Sequence, residues 1–173
     1  AVWCARHLVG SEPVAVLLAD DLILGASCVK EMVDAYKAGN MVAVMDVPHE
    51  QTGSYGIVTP GADDGRIVQV KGLVEKPDPS SAPSNIAVVG RYIITPEVFE
   101  TLAAQERGAG GEIQLTDALA KQIGKAPFSG VRFSGERFDC GSKLGFLQAN
   151  VAFGLNNDAM RDQLRDWLGE RLG

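Results

Sequence analysis

Cysteine and histidine are scarce in this sequence, and their scarcity disfavours several classes of protein. Three cysteines occur in 173 residues, at positions 4, 28 and 140. Their odd number and wide spacing argue against a disulfide framework and against a zinc site. The two histidines, His7 and His49, have no nearby serine or cysteine in a nucleophile motif. A hydrolase with a catalytic triad is therefore disfavoured.

Positive charge and long apolar runs are limited as well. The net charge is −6 and the 16 lysines and arginines are scattered, so no basic stripe is available to follow a nucleic-acid backbone. No apolar run reaches the roughly 20 residues of a membrane span, and the first residues lack the layout of a signal peptide. We therefore expect a cytoplasmic protein without a nucleic-acid or membrane partner.

Short apolar runs alternate with helical patterns in the first half of the chain. The run at 14–19 is apolar on both faces and predicts a buried, parallel strand. A helical pattern at 27–39 leads to a second apolar strand at 41–47, which is a β-α-β order. Runs at 55–59 and 66–74 flank a turn of Gly and Asp and predict a hairpin. We therefore predict an α/β fold with a mixed sheet and an antiparallel excursion inside it.

The second half continues this order without an internal repeat or a linker. We predict a strand at 86–95, a helix from Pro96, a glycine-rich bend at 107–112, a helix around Leu115, a strand at 128–135 and a helix over 143–155, which carries Leu144, Leu147, Val151 and Leu155 at helical spacing. All of residues 1–173 are assigned to one domain. It ends in an amphipathic helix at about 158–172, with Asp158 as its N-cap.

Acidic residues follow two of the predicted strands. Asp20 and Asp21 come directly after the run at 14–19, and Asp139 follows the late strand in "RFDCGSK". In open α/β sheets ligands collect at the carboxyl ends of strands, so these acids are candidates to hold a metal ion or a substrate. The alternative is that one of the first pair caps a turn and that Asp139 caps the following helix.

An acid and a base stand side by side in "GLVEKPDP". Adjacent strand residues point to opposite faces, so Glu75 and Lys76 can serve one ligand only if the strand ends between them, which Pro77 favours. A carboxylate for hydroxyls beside an ammonium for a phosphate suits a sugar phosphate. In "TGSYG", Gly56 would let a ligand approach the backbone closely. The alternatives are a solvated ion pair and a plain turn glycine.

The chain resembles a known family in five stretches taken together: "AVLLADDLI", "GSYGIV", "GLVEKPDPSSAPSNIAVVGRYI", "GAGGEIQLTDAL" and "FDCGSKLGFLQANVAFGL". In this order they are similar to the bacterial UTP:glucose-1-phosphate uridylyltransferases. "EKP" occurs across sugar-phosphate nucleotidyltransferases, whereas "GEIQLTDA" with "DCGSKLG" is specific to this branch. The resemblance implies a Rossmann-like mixed sheet and the transfer of a uridylyl group from UTP to glucose 1-phosphate, giving UDP-glucose and pyrophosphate.

The resemblance also implies roles for residues around the sugar. Glu75 would bind the sugar hydroxyls, and Lys76 would bind the sugar phosphate and take part in catalysis. Gly56 would meet the sugar through its backbone, and Val88 would line the pocket.

For the metal, the resemblance implies Mg²⁺. Asp20 would be the catalytic magnesium ligand, and Asp139 matches the second metal-site acid of related thymidylyltransferases. Asp21 would then support the turn. The resemblance also implies a homo-oligomer for the full-length enzyme.

One departure from the family concerns its nucleotide loop. The glycine-rich loop that binds the triphosphate and the base precedes the segment that matches Ala1, and no such motif occurs in these residues. We therefore expect the C-terminal part of a nucleotidyltransferase domain, without the N-terminal strands and inactive alone. The alternatives are a thymidylyl- or other nucleotidyltransferase on the same sugar phosphate, and a non-catalytic sugar-phosphate-binding subunit.

Overall fold

The computed structural model describes residues 1–104, 111 and 113–173. It forms two compact units. The larger comprises Ala1–Leu17 and Cys28–Phe133, and the smaller comprises Leu18–Ser27 and Ser134–Gly173. Of the glycine-rich bend expected at 107–112, only Gly111 is among the described residues.

The described residues contain eight strands and five α-helices. The strands are β1 (Val14–Leu17), β2 (Asp21–Leu24), β3 (Asn40–Asp46), β4 (Gly56–Asp63), β5 (Ile67–Glu75), β6 (Ile86–Ile94), β7 (Phe128–Arg132) and β8 (Glu136–Asp139). The helices are α1 (Cys28–Ala35), α2 (Pro96–Ala103), α3 (Leu115–Ala120), α4 (Lys143–Leu155) and α5 (Arg161–Leu172). No helix in this part of the chain combines the length and the apolar character that crossing a membrane requires.

The larger unit is built on a six-stranded sheet in the order β1-β6-β3-β7-β5-β4, and β4 also pairs with β6. The pair β3–β7 is parallel and the other pairs are antiparallel. This arrangement confirms the predicted mixed sheet. All nine residues of β6 are buried, as expected for a strand whose sequence is an almost unbroken apolar run.

The prediction for the first strand is wrong in two respects. The strand ends at Leu17, and its residues alternate between half-buried and exposed. It pairs with β6, and it does so antiparallel. Since β3 also pairs antiparallel with β6, β1 and β3 run in the same direction but are not neighbours. A short apolar run does not reveal that a third strand separates the two.

The predicted hairpin and the predicted central helices are confirmed. The strands β4 and β5 pair antiparallel, with Gly56 opposite Glu75. In the turn, the side chain of Asp64 accepts hydrogen bonds from the backbone of Arg66 and Ile67. The helices α2 and α3 contribute buried residues to the core, among them Leu119. The proline at the start of α2 supplies the helical φ of its first turn.

In the larger unit, Arg132 connects the ends of three strands. Its guanidinium forms ion pairs with Asp46 and Asp63, each at 2.9 Å. Hydrogen bonding from Arg132, and then from the backbone of Gly65, holds the pKa of Asp63 below its usual value. The hydrogen bonds that Arg132 donates to Asp63, and then to Asp46, raise the pKa of Arg132. The three residues of this cluster are far apart in the sequence, and no local sequence pattern predicts their contact.

In the smaller unit, β2 and β8 form a two-stranded antiparallel sheet against which α4 packs. The helix has the predicted bounds. Of the apolar residues at helical spacing, Leu144 is 67% and Leu147 61% exposed. The buried residues are instead small, and Gly145 is one of them. A Cβ there would lie 2.0 Å from the carbonyl oxygen of Asp139. The glycine therefore permits the close approach of the helix to β8.

The last helix, α5, begins later than expected. Its N-cap is Met160, not Asp158. The carboxylate of Asp158 instead forms an ion pair with Arg161 at 2.6 Å. Along the predicted apolar stripe, Leu164 is half-buried whereas Trp167 is 50% exposed.

Candidate functional site

The strand β5 ends at Glu75, as the reading of "GLVEKPDP" required. Lys76 has a φ of +46°, and it is the one non-glycine residue of the described chain with a positive φ. Its N–H donates to the carbonyl oxygen of Tyr55 at 2.9 Å. The left-handed conformation costs a residue with a Cβ roughly 1–2 kcal/mol. Because Lys76 leaves the strand conformation, the alternation of side chains between the two faces of β5 stops between Glu75 and Lys76.

Glu75 and a threonine converge on the backbone of Gly56. A Cβ placed on Gly56 would lie 3.1 Å from Oε2 of Glu75 and 3.1 Å from Cγ2 of Thr116. Gly56 is buried, and Thr116 is 8% exposed. The space above this glycine is thus bounded by a carboxylate and a threonine side chain. Sequence reasoning did not single out Thr116, although "QLTDA" lies within one of the resembling stretches.

The charged groups beside Gly56 are available to a ligand. Glu75 is half-buried and Lys76 is exposed. Within residues 1–104, 111 and 113–173, neither forms an ion pair. Glu75 and Lys76, as the structure describes them, therefore do not form the solvated ion pair that was the alternative. Val88 is 8% exposed in β6 and belongs to the hydrophobic core of the larger unit, so its role as a pocket wall stays a prediction.

In the smaller unit, two acids border one small space. Asp20 is exposed in the turn before β2, and its carbonyl oxygen accepts a hydrogen bond from the N–H of Cys140 at 2.7 Å. Asp139 ends β8, and its Oδ1 accepts from the N–H of Gly141 at 3.0 Å. A Cβ placed on Gly141 would lie 3.0 Å from Oδ1 of Asp139 and 3.5 Å from Oδ2 of Asp20. The turn therefore brings the two carboxylates to the same place.

Asp21 has a different environment from that of its neighbour. It is buried, and its carboxylate forms an ion pair with Arg137 across the β2–β8 sheet. In register it lies opposite Asp139. A carboxylate held in this way supports the local fold, as the resemblance implied, and leaves Asp20 as the exposed acid of the pair.

The two acids of this turn fit a magnesium ion. Among the described residues no group of three or more His, Cys, Asp or Glu could hold a metal. Mg²⁺ usually keeps several waters and is bound through one or two carboxylates together with phosphate oxygens of the substrate. Asp20 and Asp139 bordering one space are a donor set of this kind.

The chain is similar to known proteins over nearly its whole length. The nucleotidyl transferase family matches residues 1–154. A UTP–glucose-1-phosphate uridylyltransferase of Komagataeibacter xylinus is 52% identical over 97% of this chain and 58% of its own length. That of Bacillus subtilis strain 168 is 45% identical over 95% of this chain and 57% of its own length.

A solved structure of a related protein is also similar to this chain. The crystal structure of a UDP-glucose pyrophosphorylase complexed with UDP-glucose has a TM-score of 0.85 and 37% identity, covering 90% of this chain and 61% of that one. The chain thus spans somewhat more than half the length of the proteins it matches. Because the family match covers residues 1–154 and the relatives match nearly the whole chain, the chain belongs to the nucleotidyl transferase family.

Proposed function

We propose that the enzyme containing this chain transfers a uridylyl group from UTP to glucose 1-phosphate, giving UDP-glucose and pyrophosphate. The observation that carries the proposal is the convergence of Glu75 and Thr116 on the backbone of Gly56, next to the turn at Lys76. The names of the relatives support the same reaction. Because this chain spans only part of their length, the activity is proposed for the whole enzyme, and we expect residues 1–173 alone to be inactive.

The sugar phosphate is bound by the larger unit in this proposal. The carboxylate of Glu75 accepts hydrogen bonds from sugar hydroxyls, because an ionised carboxylate offers about four acceptor positions. The ammonium of Lys76 meets the phosphate as a point charge. The backbone of Gly56 contacts the sugar, at a place where a Cβ would lie only 3.1 Å from Oε2 of Glu75 and from Cγ2 of Thr116. Val88 is proposed as a wall of the pocket.

The smaller unit holds the metal in this proposal. Asp20 and Asp139 would bind Mg²⁺, which when bound neutralises charge on the nucleotide phosphates. An anionic phosphate oxygen must approach a phosphorus that carries several negative oxygens. The contribution of the protein is therefore to hold the reactants in place and to neutralise charge, and no covalent protein intermediate is required. The absence of a nucleophile motif in the sequence agrees with this mechanism.

UTP is proposed as the nucleotide, in preference to dTTP. The relatives above are uridylyltransferases. A putative glucose-1-phosphate thymidylyltransferase of Bacillus anthracis is 22% identical, with a TM-score of 0.66, and this likeness concerns the fold alone. We extend the proposal to a cytoplasmic enzyme, because both substrates are metabolites of the cell interior. The resemblance to the family adds a homo-oligomeric state for the full-length enzyme.

A chimera tests the proposed reaction without assuming anything about the ends of this chain. Residues 1–173 replace the matching segment of the Komagataeibacter xylinus relative, and pyrophosphate release is followed with UTP and glucose 1-phosphate. We expect turnover, because this chain supplies the proposed sugar-phosphate and metal residues and the relative supplies the rest of the enzyme. A folded chimera without turnover would favour the non-catalytic alternative.

A further inference from the structure

Thr116 borders the space above Gly56, and the proposed function gives its side chain no role. It is the second residue of α3 and is 8% exposed. A Cβ placed on Gly56 would lie 3.1 Å from its Cγ2 and 3.5 Å from its Oγ1. The helix packs on β5, the strand that ends at Glu75. It therefore carries the threonine hydroxyl to the place where the sugar is proposed to meet the backbone of Gly56.

The hydroxyl of Thr116 is not used by the fold. A threonine hydroxyl in a helix commonly donates to the carbonyl oxygen three or four residues earlier. Within residues 1–104, 111 and 113–173, Oγ1 of Thr116 forms no hydrogen bond. It is also not one of the fully enclosed polar atoms that lack a partner in this part of the chain. A residue that is more than nine-tenths buried thus keeps an unpartnered hydroxyl that a ligand above Gly56 can reach.

The carboxylate of Glu75 faces the same point. Its Oε2 lies 3.1 Å from the Cβ position of Gly56, because residues 56 and 75 are directly opposite each other in the β4–β5 pair. No hydrogen bond or ion pair joins this carboxylate to any residue that the structure describes. A carboxylate and a hydroxyl therefore lie within 3.5 Å of one point without bonding to each other. Both are available to a third group.

A sugar hydroxyl is a group that this pair can bind on both sides. An ionised carboxylate only accepts hydrogen bonds, whereas a hydroxyl donates one and accepts up to two. A sugar hydroxyl that donates its hydrogen to Glu75 keeps the lone pairs of its oxygen for a donor. The hydroxyl of Thr116 is such a donor, while the ammonium of Lys76 is assigned to the phosphate.

We propose that Thr116 is a specificity-determining residue for the sugar, because its hydroxyl donates to the same sugar hydroxyl that donates to Glu75. This inference rests on the proposed function, since it requires glucose 1-phosphate to bind above Gly56. A site that pairs both the hydrogen and the oxygen of one hydroxyl discriminates against sugars that lack this hydroxyl. Two polar groups of the protein are then left unpaired.

The test is the kinetics of Thr116→Val in the chimera, with glucose 1-phosphate and its 2-, 3-, 4- and 6-deoxy analogues as substrates. Valine keeps the shape of threonine and removes the hydroxyl, whereas Thr116→Ser keeps the hydroxyl and removes the methyl group. Thr59→Val is the matched control, because Thr59 is a half-buried threonine of β4 that lies against Gly72 and not against Gly56. Circular dichroism confirms that each variant is folded.

We expect Thr116→Val to lower kcat/KM for glucose 1-phosphate about 3- to 10-fold, which corresponds to the loss of one hydrogen bond. The KM for UTP should change by less than about twofold, and Thr116→Ser and Thr59→Val should stay within about twofold of the unsubstituted chimera. With one of the four deoxy analogues, Thr116→Val should have no effect. The effect of Glu75→Gln should be smaller with that same analogue, because all three groups then belong to one hydrogen-bonded unit.

Any of four results would overturn the inference while leaving the proposed reaction intact. These are unchanged kinetics in Thr116→Val, an equal loss in Thr116→Ser or Thr59→Val, a loss that persists with every deoxy analogue, and a different analogue for Thr116→Val than for Glu75→Gln. An unsubstituted chimera that is folded but without turnover would overturn the proposed function, and this inference with it.

Discussion

Asp20 and Asp21 are neighbours in the sequence, but the structure gives them different physical tasks, which matched substitutions can separate. The side chain of Asp21 is 8% exposed and that of its partner Arg137 is 12% exposed, whereas Asp20 is exposed. Removing one member of a buried ion pair costs about 3–5 kcal/mol, because the other charge stays buried without compensation. Asparagine keeps one acceptor oxygen, so we expect Asp21→Asn to lower the free energy of unfolding by about 2–3 kcal/mol. Asp20→Asn should lower it by less than about 0.5 kcal/mol.

Urea unfolding followed by tryptophan fluorescence measures this difference in the smaller unit. The chain has two tryptophans, so a Trp3→Phe background leaves Trp167, which lies in α5, as the reporter. The double variant Asp21→Asn/Arg137→Met removes both charges and should recover part of the loss of Asp21→Asn. Equal losses in Asp20→Asn and Asp21→Asn would refute the structural role given to Asp21.

The activity of the same variants in the chimera should show the reverse order. If the proposed magnesium site is correct, Asp20→Asn costs at least ~10²-fold in turnover, because the metal supplies several kcal/mol of charge stabilisation. Asp21→Asn, assayed at a temperature where it remains folded, should retain more activity than Asp20→Asn. A greater loss in Asp21→Asn would mean that the wrong acid has been proposed as the metal ligand.

Three further predictions concern the larger unit. Lys76→Gly should raise the free energy of unfolding by up to about 1 kcal/mol, because glycine adopts the left-handed conformation without strain. The same substitution should lower the affinity of the chimera for glucose 1-phosphate. A lower free energy of unfolding would show that the turn at Lys76 is not strained. Gly56→Ala should raise the KM for glucose 1-phosphate without changing that for UTP, since its Cβ would lie 3.1 Å from Glu75 Oε2; an unchanged KM would remove Gly56 from the site. The hydrogen bond from Arg132 is the main cause that lowers the pKa of Asp63 from 3.8 in the folded state. Asp63 therefore stabilises the fold above pH 3.8, and this stability is lost as the pH falls through the lower pKa of the folded state. Arg132→Met should therefore make the loss of stability below pH ~4 shallower in acid titrations, and an unchanged slope would contradict the coupling.

Much of the fold could be predicted where a local pattern decides the structure. The hairpin of β4 and β5 follows from two β-prone runs around a turn of Gly and Asp. The start of α2 follows from its proline. The strand end at Glu75 follows from the proline two residues later. In each case the determining residues are adjacent in the sequence.

The errors arose where a distant part of the chain decides the outcome. β1 pairs with β6, a strand some 75 residues further along the chain. The sequence of the run at 14–19 does not indicate this partner. In α4, the spacing of Leu144 and Leu147 marks an apolar stripe, but the buried residues are the small ones, and Gly145 among them approaches the end of β8 closely. Helical spacing identifies an apolar stripe without showing what covers it.

The candidate site was predictable to a similar extent. Glu75, Lys76 and Gly56 are marked by local sequence, and the structure places Gly56 opposite Glu75. Thr116 meets them only through tertiary packing, and a threonine in a helix gives no local sign of such a role. The separation of Asp20 from Asp21 likewise required the position of Arg137, which is more than a hundred residues away.

The most direct test of the central claim is the kinetics of Glu75→Gln in the chimera, with each substrate varied in turn. Glutamine keeps the size of the side chain but removes the charge that strengthens its hydrogen bonds to sugar hydroxyls, which is worth about 1.5–3 kcal/mol. We therefore predict that the KM for glucose 1-phosphate rises by about 10- to 100-fold, while the KM for UTP changes by less than about twofold. An unchanged KM for glucose 1-phosphate, or equal changes for both substrates, would contradict the assignment of Glu75 to the sugar.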